Sequence, residues 1–457
     1  MSVQNTWWPW IQVASITRPP RTTPESKKDQ AYDVACARWY LSQQLRGSVD
    51  DFRMEYATNT AFYQGMWGTA EDRETFLADQ GISNSRPELT LPVMQPLVTR
   101  IEGSALNVNI DAHSESVTAI RAKRRKEDEM NKVLSLSLAA QQGPFVQNAV
   151  MQNTGITGNE AEDIDFFERT YQDRLEMGST MLMEALAEEN GLHRLKGVAA
   201  RKAFLSGLWA GHTYIHGTKL RFEMIDPMDF GFDHNAKMQD GTDGEYWYVC
   251  PMMPLSTIGE RWNAGQDTIE DLDKFLRLRG GAGVSFGWPE GMPRVFTVYW
   301  KDLKYVTRGW VEKDGQPHLC TLNEKEEGEE KVYTEADCIM APEEFAELVP
   351  MWKGKKYMKC CMEYMRHCSF IPWEYLPGAK NTKFMPGKTP DVVFDSGVYT
   401  IQEEDPNDYF SVRSPIKMRC WSLLFGKVLA PATCIQSPQR VMDMVYSDLM
   451  WRLSKSG

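Results

Sequence analysis

The chain has 457 residues, 42% hydrophobic and 25% charged, with a formal net charge of −12. At about 100–200 residues per domain it holds two to four domains, and its ordinary composition excludes wholesale disorder and collagen-like repeats. No run approaches the ~18 apolar residues of a bilayer span, and the acidic balance excludes tight, general binding to nucleic acid, which needs surplus Lys and Arg.

The nine cysteines are Cys36, Cys250, Cys320, Cys338, Cys360, Cys361, Cys368, Cys420 and Cys434. The count is odd and no C-x-x-C pair occurs, so they read as reduced thiols in a cytosol-like compartment. The N-terminus MSVQNTWWPW has no basic region leading into an apolar core, so no signal peptide is expected. Residues 1–26 hold Trp7, Trp8, Trp10, Pro19, Pro20 and Pro24 and read as an arm lying on another surface, or as a disordered tail.

A helix is expected near Lys27, with Ala31, Val34, Ala35, Ala37 and Leu41 on one face. A second amphipathic stretch, Val49 to Tyr63, carries Phe52, Tyr56 and Phe62. Leu106, Val108 and Ile110 alternate with asparagines and read as a half-buried strand. Ser114 to Gln142 reads as a long helix. Its basic run Arg121–Lys126 is followed at once by Glu127, Asp128 and Glu129, which favours a solvated face with i,i+4 pairs over a nucleic-acid site. A helix from Glu160 to Glu189 should end at Asn190-Gly191, and another should run from Leu192 to Trp209, interrupted by Gly197 and Gly207.

Short strands follow, with turns at Asp226-Pro227 and Gly241–Gly244. Short helices are expected over Pro254–Trp262 and Asp267–Leu278. The glycine-rich stretch Arg279–Gly291 reads as an internal boundary. RVFTVYWKDLKYVTRGWVEKDGQPHLCTL reads as strands with a hairpin turn at Lys313-Asp314-Gly315. Glu324–Glu330 is an acidic solvated loop, Thr334–Leu348 a helix, Tyr357–Cys368 a strand and Gly378–Pro390 a loop. Ser414–Ser456 reads as helical, broken at Pro431 and re-entered at Ser437-Pro438.

Sites of chemistry are scarce. Gly387-Lys388-Thr389 lacks the glycine five positions earlier that a phosphate loop needs, because Thr382 stands there. His212 and His216 lack the glutamate of the zinc-hydrolase helix; on a strand they share a face with Tyr214 and read as ordinary polar side chains. His367-Cys368 with Cys360-Cys361 matches no metal-site spacing and reads as a buried apolar strand. Asp226, Asp229, Asp233, Asp240 and Asp243 lack calcium-loop spacing and read as turn acids. Glu403-Glu404-Asp405 offers paired carboxylates with no mark of a pocket. No catalytic constellation, metal or cofactor is expected.

Four stretches together resemble the portal (head-to-tail connector) protein of tailed bacteriophages, most closely the large portals of short-tailed phages. RPELTLPVMQPLVTRIEGSALNVNIDAHSES is similar to the family's early segment. ARKAFLSGLWAGHTYIH with FEMIDPMDFGFDHNAKMQDGTDGEYWYVCPMMPLSTIGERW is similar to its helix, strand pair, D-P turn and following helix. RVFTVYWKDLKY resembles the strand entering the clip domain, and SPQRVMDMVYSDLMWRLSKSG the second stem helix. There Ser437, Pro438, Gln439, Arg440, Asp443 and Ser447 fall on the family's pattern, with Asp443 standing where Asn is usual.

The resemblance covers roughly residues 50–457 in order. It implies a mainly helical α+β portal fold: an arm (1–26), a wing (27–250), a stem approach (251–293), an α/β clip (294–413) and a second stem helix (414–457). Large members continue beyond that helix into further wing and a crown, so a chain ending at Ser456-Gly457 reads as a truncated portion or a short variant. The function implied is a non-enzymatic virion ring, usually of twelve subunits, at one capsid vertex, assembled in the host cytoplasm. Its partners are the terminase packaging motor, tail adaptor proteins, capsid and scaffold proteins, and double-stranded DNA passing weakly bound through the channel, with no membrane. Gln439, Arg440, Asp443 and Ser447 are the candidates for facing the stem or channel, or for merely capping and solvating a helix. The rivals are another head–tail adaptor or minor capsid protein, and a metal-dependent hydrolase using the histidines or the Cys360–Cys368 cluster.

Overall fold

The computed structural model describes residues 18–21, 23–44, 50–66, 92–108, 130–131, 174–216, 219–279, 292–313, 316–322, 332–342, 350–372, 391–399, 403–405, 408–424 and 427–456. The basic run at 121–126, the glycine-rich stretch 280–291, the acidic loop 324–330 and the Gly387-Lys388-Thr389 segment lie outside them. The chain divides into two compact units, Met1–Glu102 with Val198–Gly457, and Gly103–Gly197.

The described part of the second unit is helical. Helix α3 (Met94–Leu106) ends in it, α4 (Arg174–Glu189) lies within it and α5 (Leu192–Ser206) begins in it. Asn190 and Gly191 terminate α4 as their chemistry requires, Gly191 at φ +61°. Leu106, expected in a strand, is the last residue of α3; its side chain packs 3.4 Å from where a Cβ on Gly197 would stand. Ile110 lies outside the described residues.

The large unit is built on two antiparallel sheets. The first is three-stranded, in the order β12 (Ile416–Cys420), β1 (Leu208–His216), β2 (Lys219–Ile225). The second has seven strands. Its path runs β3 (Phe230–Phe232), β4 (Tyr246–Val249), β5 (Phe296–Lys313), β8 (Tyr357–Ile371), β9 (Val392–Val398). Strands β6 (Gln316–Thr321) and β7 (Cys338–Ile339) pair with the far end of β5.

β5 forms because both faces of its first part, Phe296–Trp300, are buried. Phe296, Val298 and Trp300 enter one core, with Tyr40 of α1 (Gln30–Gln44), Tyr246, Tyr248, Cys368 and Phe370. Tyr299 enters the opposite core with Trp247, Met365, Leu208, Ala210, Ile416 and Met418, so the three-stranded sheet covers that side. Such strands read as continuous apolar runs rather than alternations. Lys313 pairs with Gln316, and Asp314 and Gly315 of the expected hairpin turn lie outside the described residues. β4, before the glycine-rich stretch, and β5, after it, are hydrogen-bonded neighbours.

The expectation of a mainly helical fold is corrected. About 44% of the described residues are helical, but 31% lie in strands, and among the described residues only eight α-helices stand beside the two sheets. Three segments carry the difference. Leu208 and Trp209 open β1, because Gly207 at φ +80° ends α5 first. Thr334–Leu348 yields a 3-10 turn closed by a Thr334/Asp337 capping box and then β7, where Cys338 and Ile339 pair with Val311 and Trp310; residues 343–349 are outside the described set. Ser414–Val428 supplies β12, β13 (Leu423–Leu424) and β14 (Lys427–Val428). The C-terminal helix starts only at Thr433 and runs through Pro438 to Ser456.

The other helices follow the sequence. α2 (Asp50–Tyr63) buries Phe52 and Phe62, and α6 (Leu255–Trp262) and α7 (Gln266–Arg279) match their expected spans. α1 forms as expected but turns a different face inward. Tyr32, Cys36, Ala37, Tyr40 and Leu41 are buried, whereas Ala31 is exposed.

Gly207 tests the α5–β1 junction. A Cβ there would stand 2.6 Å from the Leu429 carbonyl oxygen, at a backbone angle L side chains resist. Gly207→Ala is expected to destabilise the protein by about 2 kcal/mol or more. Urea denaturation checks this; an unchanged midpoint contradicts the packing of Gly207 on the Leu429 backbone.

Candidate functional site: an inverted C-terminal helix and a cross-sheet histidine cluster

The four stem candidates lie on α8 (Thr433–Ser456). Gln436, Gln439, Arg440, Asp443 and Ser447 fall at helical spacing and form one polar stripe. Gln436 Nε2 donates to Asn59 Oδ1 at 2.7 Å, and Asn59 donates to the Leu205 carbonyl at 2.7 Å. Gln439 donates to the Phe62 carbonyl at 3.4 Å, and the Arg440 guanidinium lies 5.2 Å from the Phe62 ring centroid. Gln439 and Asp443 are 1% and 0% exposed; Arg440 and Ser447 are half-buried. The stripe therefore turns inward within the chain.

The outward stripe is apolar. Val441, Met442, Val445, Leu449 and Met450 are all exposed, Val445 at 59% and Leu449 at 53%. This reverses the usual arrangement, in which a surface helix buries its apolar face. The residue pattern alone does not reveal the inversion, because the polar partners Asn59 and Phe62 come from a helix about 380 positions away in sequence.

A second cluster joins the two sheets. His212 of β1 is buried, and its Nε2 shares a 2.8 Å hydrogen bond with the Tyr299 hydroxyl of β5. His367 of β8 stacks on Tyr299 with centroids 6.0 Å apart, and its Nε2–H donates to Asp395 Oδ2 of β9 at 2.9 Å. Tyr399 stands edge-on to both rings and donates to the Thr213 carbonyl at 3.2 Å. Burial, reinforced by the positive charge of Arg261 and by His367, lowers the His212 imidazole to about 3, so it is neutral at physiological pH. The hydrogen bond from His367 holds the Asp395 carboxyl below its ordinary range, outweighing its partial burial. His216 faces Glu260 at 3.3 Å instead.

A third constellation is a charged clasp between the N-terminal segment and the β5–β8 pair. Arg366 grips Asp33 with two hydrogen bonds, 2.8 Å and 3.0 Å, and reaches Glu25 at 2.6 Å. Lys28 Nζ meets Asp302 at 2.9 Å and accompanies hydrogen bonds from Tyr32 and Tyr364 to the same carboxylate. Burial pushes the Asp33 carboxyl above its ordinary range even against the pull of Arg366. These are structural contacts, since every charged group in them is answered from within the chain.

The acids flagged at the turns act there. Asp226 accepts from Met228 N, Asp233 from Asn235 N and Glu245 N, Asp240 from Thr242 N, and Asp243 from Lys237 N. Asp229 pairs with Arg294. Glu403–Asp405 forms β10, paired with β11 (Asp408–Arg413). Among the described residues no group of three or more His, Cys, Asp or Glu is placed to hold a metal ion. All nine cysteines are unbridged. No described helix is long and apolar enough to cross a membrane. No protein-family model and no curated protein matches the chain.

Proposed function

We propose that the chain is the repeating subunit of a ring at one vertex of a tailed-phage capsid, a portal through which double-stranded DNA is packaged and ejected. The observation that carries the reading is the apolar stripe of α8, Val441 to Met450, left on the surface of a single copy. It lies in the segment that resembles the family's second stem helix. An apolar patch of this kind marks a contact surface, and a head-to-tail contact that rotates back on itself closes a ring.

Charge supports the same reading. At −12 per chain, a dozen copies carry on the order of −144, a field that guides a duplex without gripping it. The role is structural rather than enzymatic, in the virion at the portal vertex. Its partners are the terminase packaging motor, later the tail adaptors, and the capsid and scaffold proteins.

Val445→Glu combined with Leu449→Glu is expected to convert the assembled species to monomer. The thermal midpoint should stay within a few degrees, since both side chains are exposed. Multi-angle light scattering reads the outcome; assembly that survives both charges removes α8 as the contact.

A further inference from the structure

We infer that the outer face of the β5–β8 ribbon binds single-stranded nucleic acid, with Tyr305 as the base-stacking platform and a lysine array along the backbone track. The inference stands on the ribbon alone and does not rest on the ring reading. In the pairing of these strands Tyr305 lies opposite Cys361 and Thr307 opposite Lys359. Directly paired side chains and their i+2 neighbours share a face, so Tyr305, Tyr357, Lys359 and Cys361 project together. All four are exposed, Tyr305 at 70%. Immediately before the strand, Lys353, Lys355 and Lys356 are exposed as well.

Among the described residues none of these four lysines forms an ion pair. The neighbouring carboxylates among the described residues are committed elsewhere. Glu335 accepts from the Tyr357 hydroxyl, Asp337 caps Thr334, and Glu363 lies 3.8 Å from Lys301. Among the described residues four ammonium groups within seven positions thus have no carboxylate partner, on a chain of net charge −12.

Lysines alone have a simpler use, since they discourage strand edges from pairing with other chains. That does not account for Tyr305, a large ring held in the open at mid-strand. An acidic polypeptide would be served by the ammonium groups without the ring. A duplex hides its base faces in the stack. A single strand uses both, because its phosphates meet the lysines while a base stacks on the tyrosine, without sequence preference.

The test is fluorescence anisotropy of a labelled short oligo-dT titrated with the full chain, beside a duplex and a poly-glutamate probe. Oligo-dT should bind, with log affinity falling against log salt at a slope of about −3, as four lysine–phosphate contacts give. Tyr305→Ala should weaken binding about 5- to 100-fold and Tyr305→Trp should restore it. The combined K353E, K355E, K356E and K359E variant should abolish it while leaving the thermal midpoint near wild type. Three results overturn the inference: no binding by the wild type, full affinity in Tyr305→Ala, or duplex or poly-glutamate bound as tightly as oligo-dT.

Discussion

Replacing Arg366 with alanine is expected to cost about 3–5 kcal/mol of folding stability at neutral pH, the range for removing one partner of a buried ion pair. Arg366 and Asp33 have side chains only 3% and 2% exposed, so neither charge has access to solvent as an alternative partner. The variant strands the Asp33 carboxylate in a site whose desolvation already raises its pKa. Two further contacts go with the arginine, to Glu25 and to the Lys28 carbonyl.

The penalty should depend on pH. Asp33 can be neutralised by a proton, so the deficit of Arg366→Ala should shrink as pH falls through the raised pKa of that carboxyl. Arg366→Ala with Asp33→Ala should recover part of the loss even at neutral pH, because no unpaired charge remains. Urea denaturation across pH measures both. A deficit under about 1 kcal/mol, the level of an exposed ion pair, contradicts the buried clasp.

The second large effect is acid lability centred on His212. The folded value is about 3, against an ordinary 6.5. A depressed histidine binds fewer protons folded than unfolded. Its neutral, buried state therefore carries no penalty above pH ~6.5, and stability is lost progressively as pH falls from there toward ~3. The full difference is about 5 kcal/mol at 1.36 kcal/mol per unit. Burial fixes the sign, and the groups facing it add to it: Arg261 and His367 oppose a further positive charge, while the Tyr299 hydroxyl shares its hydrogen bond. His212→Phe removes the titrating group, so its stability should fall less steeply between pH 6.5 and 3 than that of the wild type. Parallel curves would contradict a buried neutral imidazole at the junction of the two sheets.

Local chemistry made part of this fold legible. Asn190-Gly191 and Asp226-Pro227 carry their own conformational preferences, and they terminate or turn the chain as read. Phe52 and Phe62 were visible as one apolar face of α2. The strands were harder. β12 does alternate, with Ile416, Met418 and Cys420 buried and Lys417 and Arg419 exposed, but five residues are too few to outweigh the helical pattern that follows. Thr334–Asp337 has the composition of a helix start, and pairing with Val311 and Trp310 captures what comes next.

The candidate site was legible only as a segment. Gln439, Arg440, Asp443 and Ser447 form one face, as their spacing indicates, but which way the face turns is set by Asn59 and Phe62 on another helix. In sequence His212 stands at strand spacing from His216, whereas its partner in the fold is Tyr299, 87 positions on. Arg366 and Asp33 are 333 apart and carry no local signal at all. Contacts of that range are made by the packing of elements distant in sequence, which the pattern of single segments does not encode.

Native mass spectrometry of the full chain, with negative-stain images of the same sample, tests the central claim most directly. The account predicts a closed species of about twelve copies with a hole through its middle. A 52.3 kDa monomer at every concentration, or an assembly without an open centre, would contradict it.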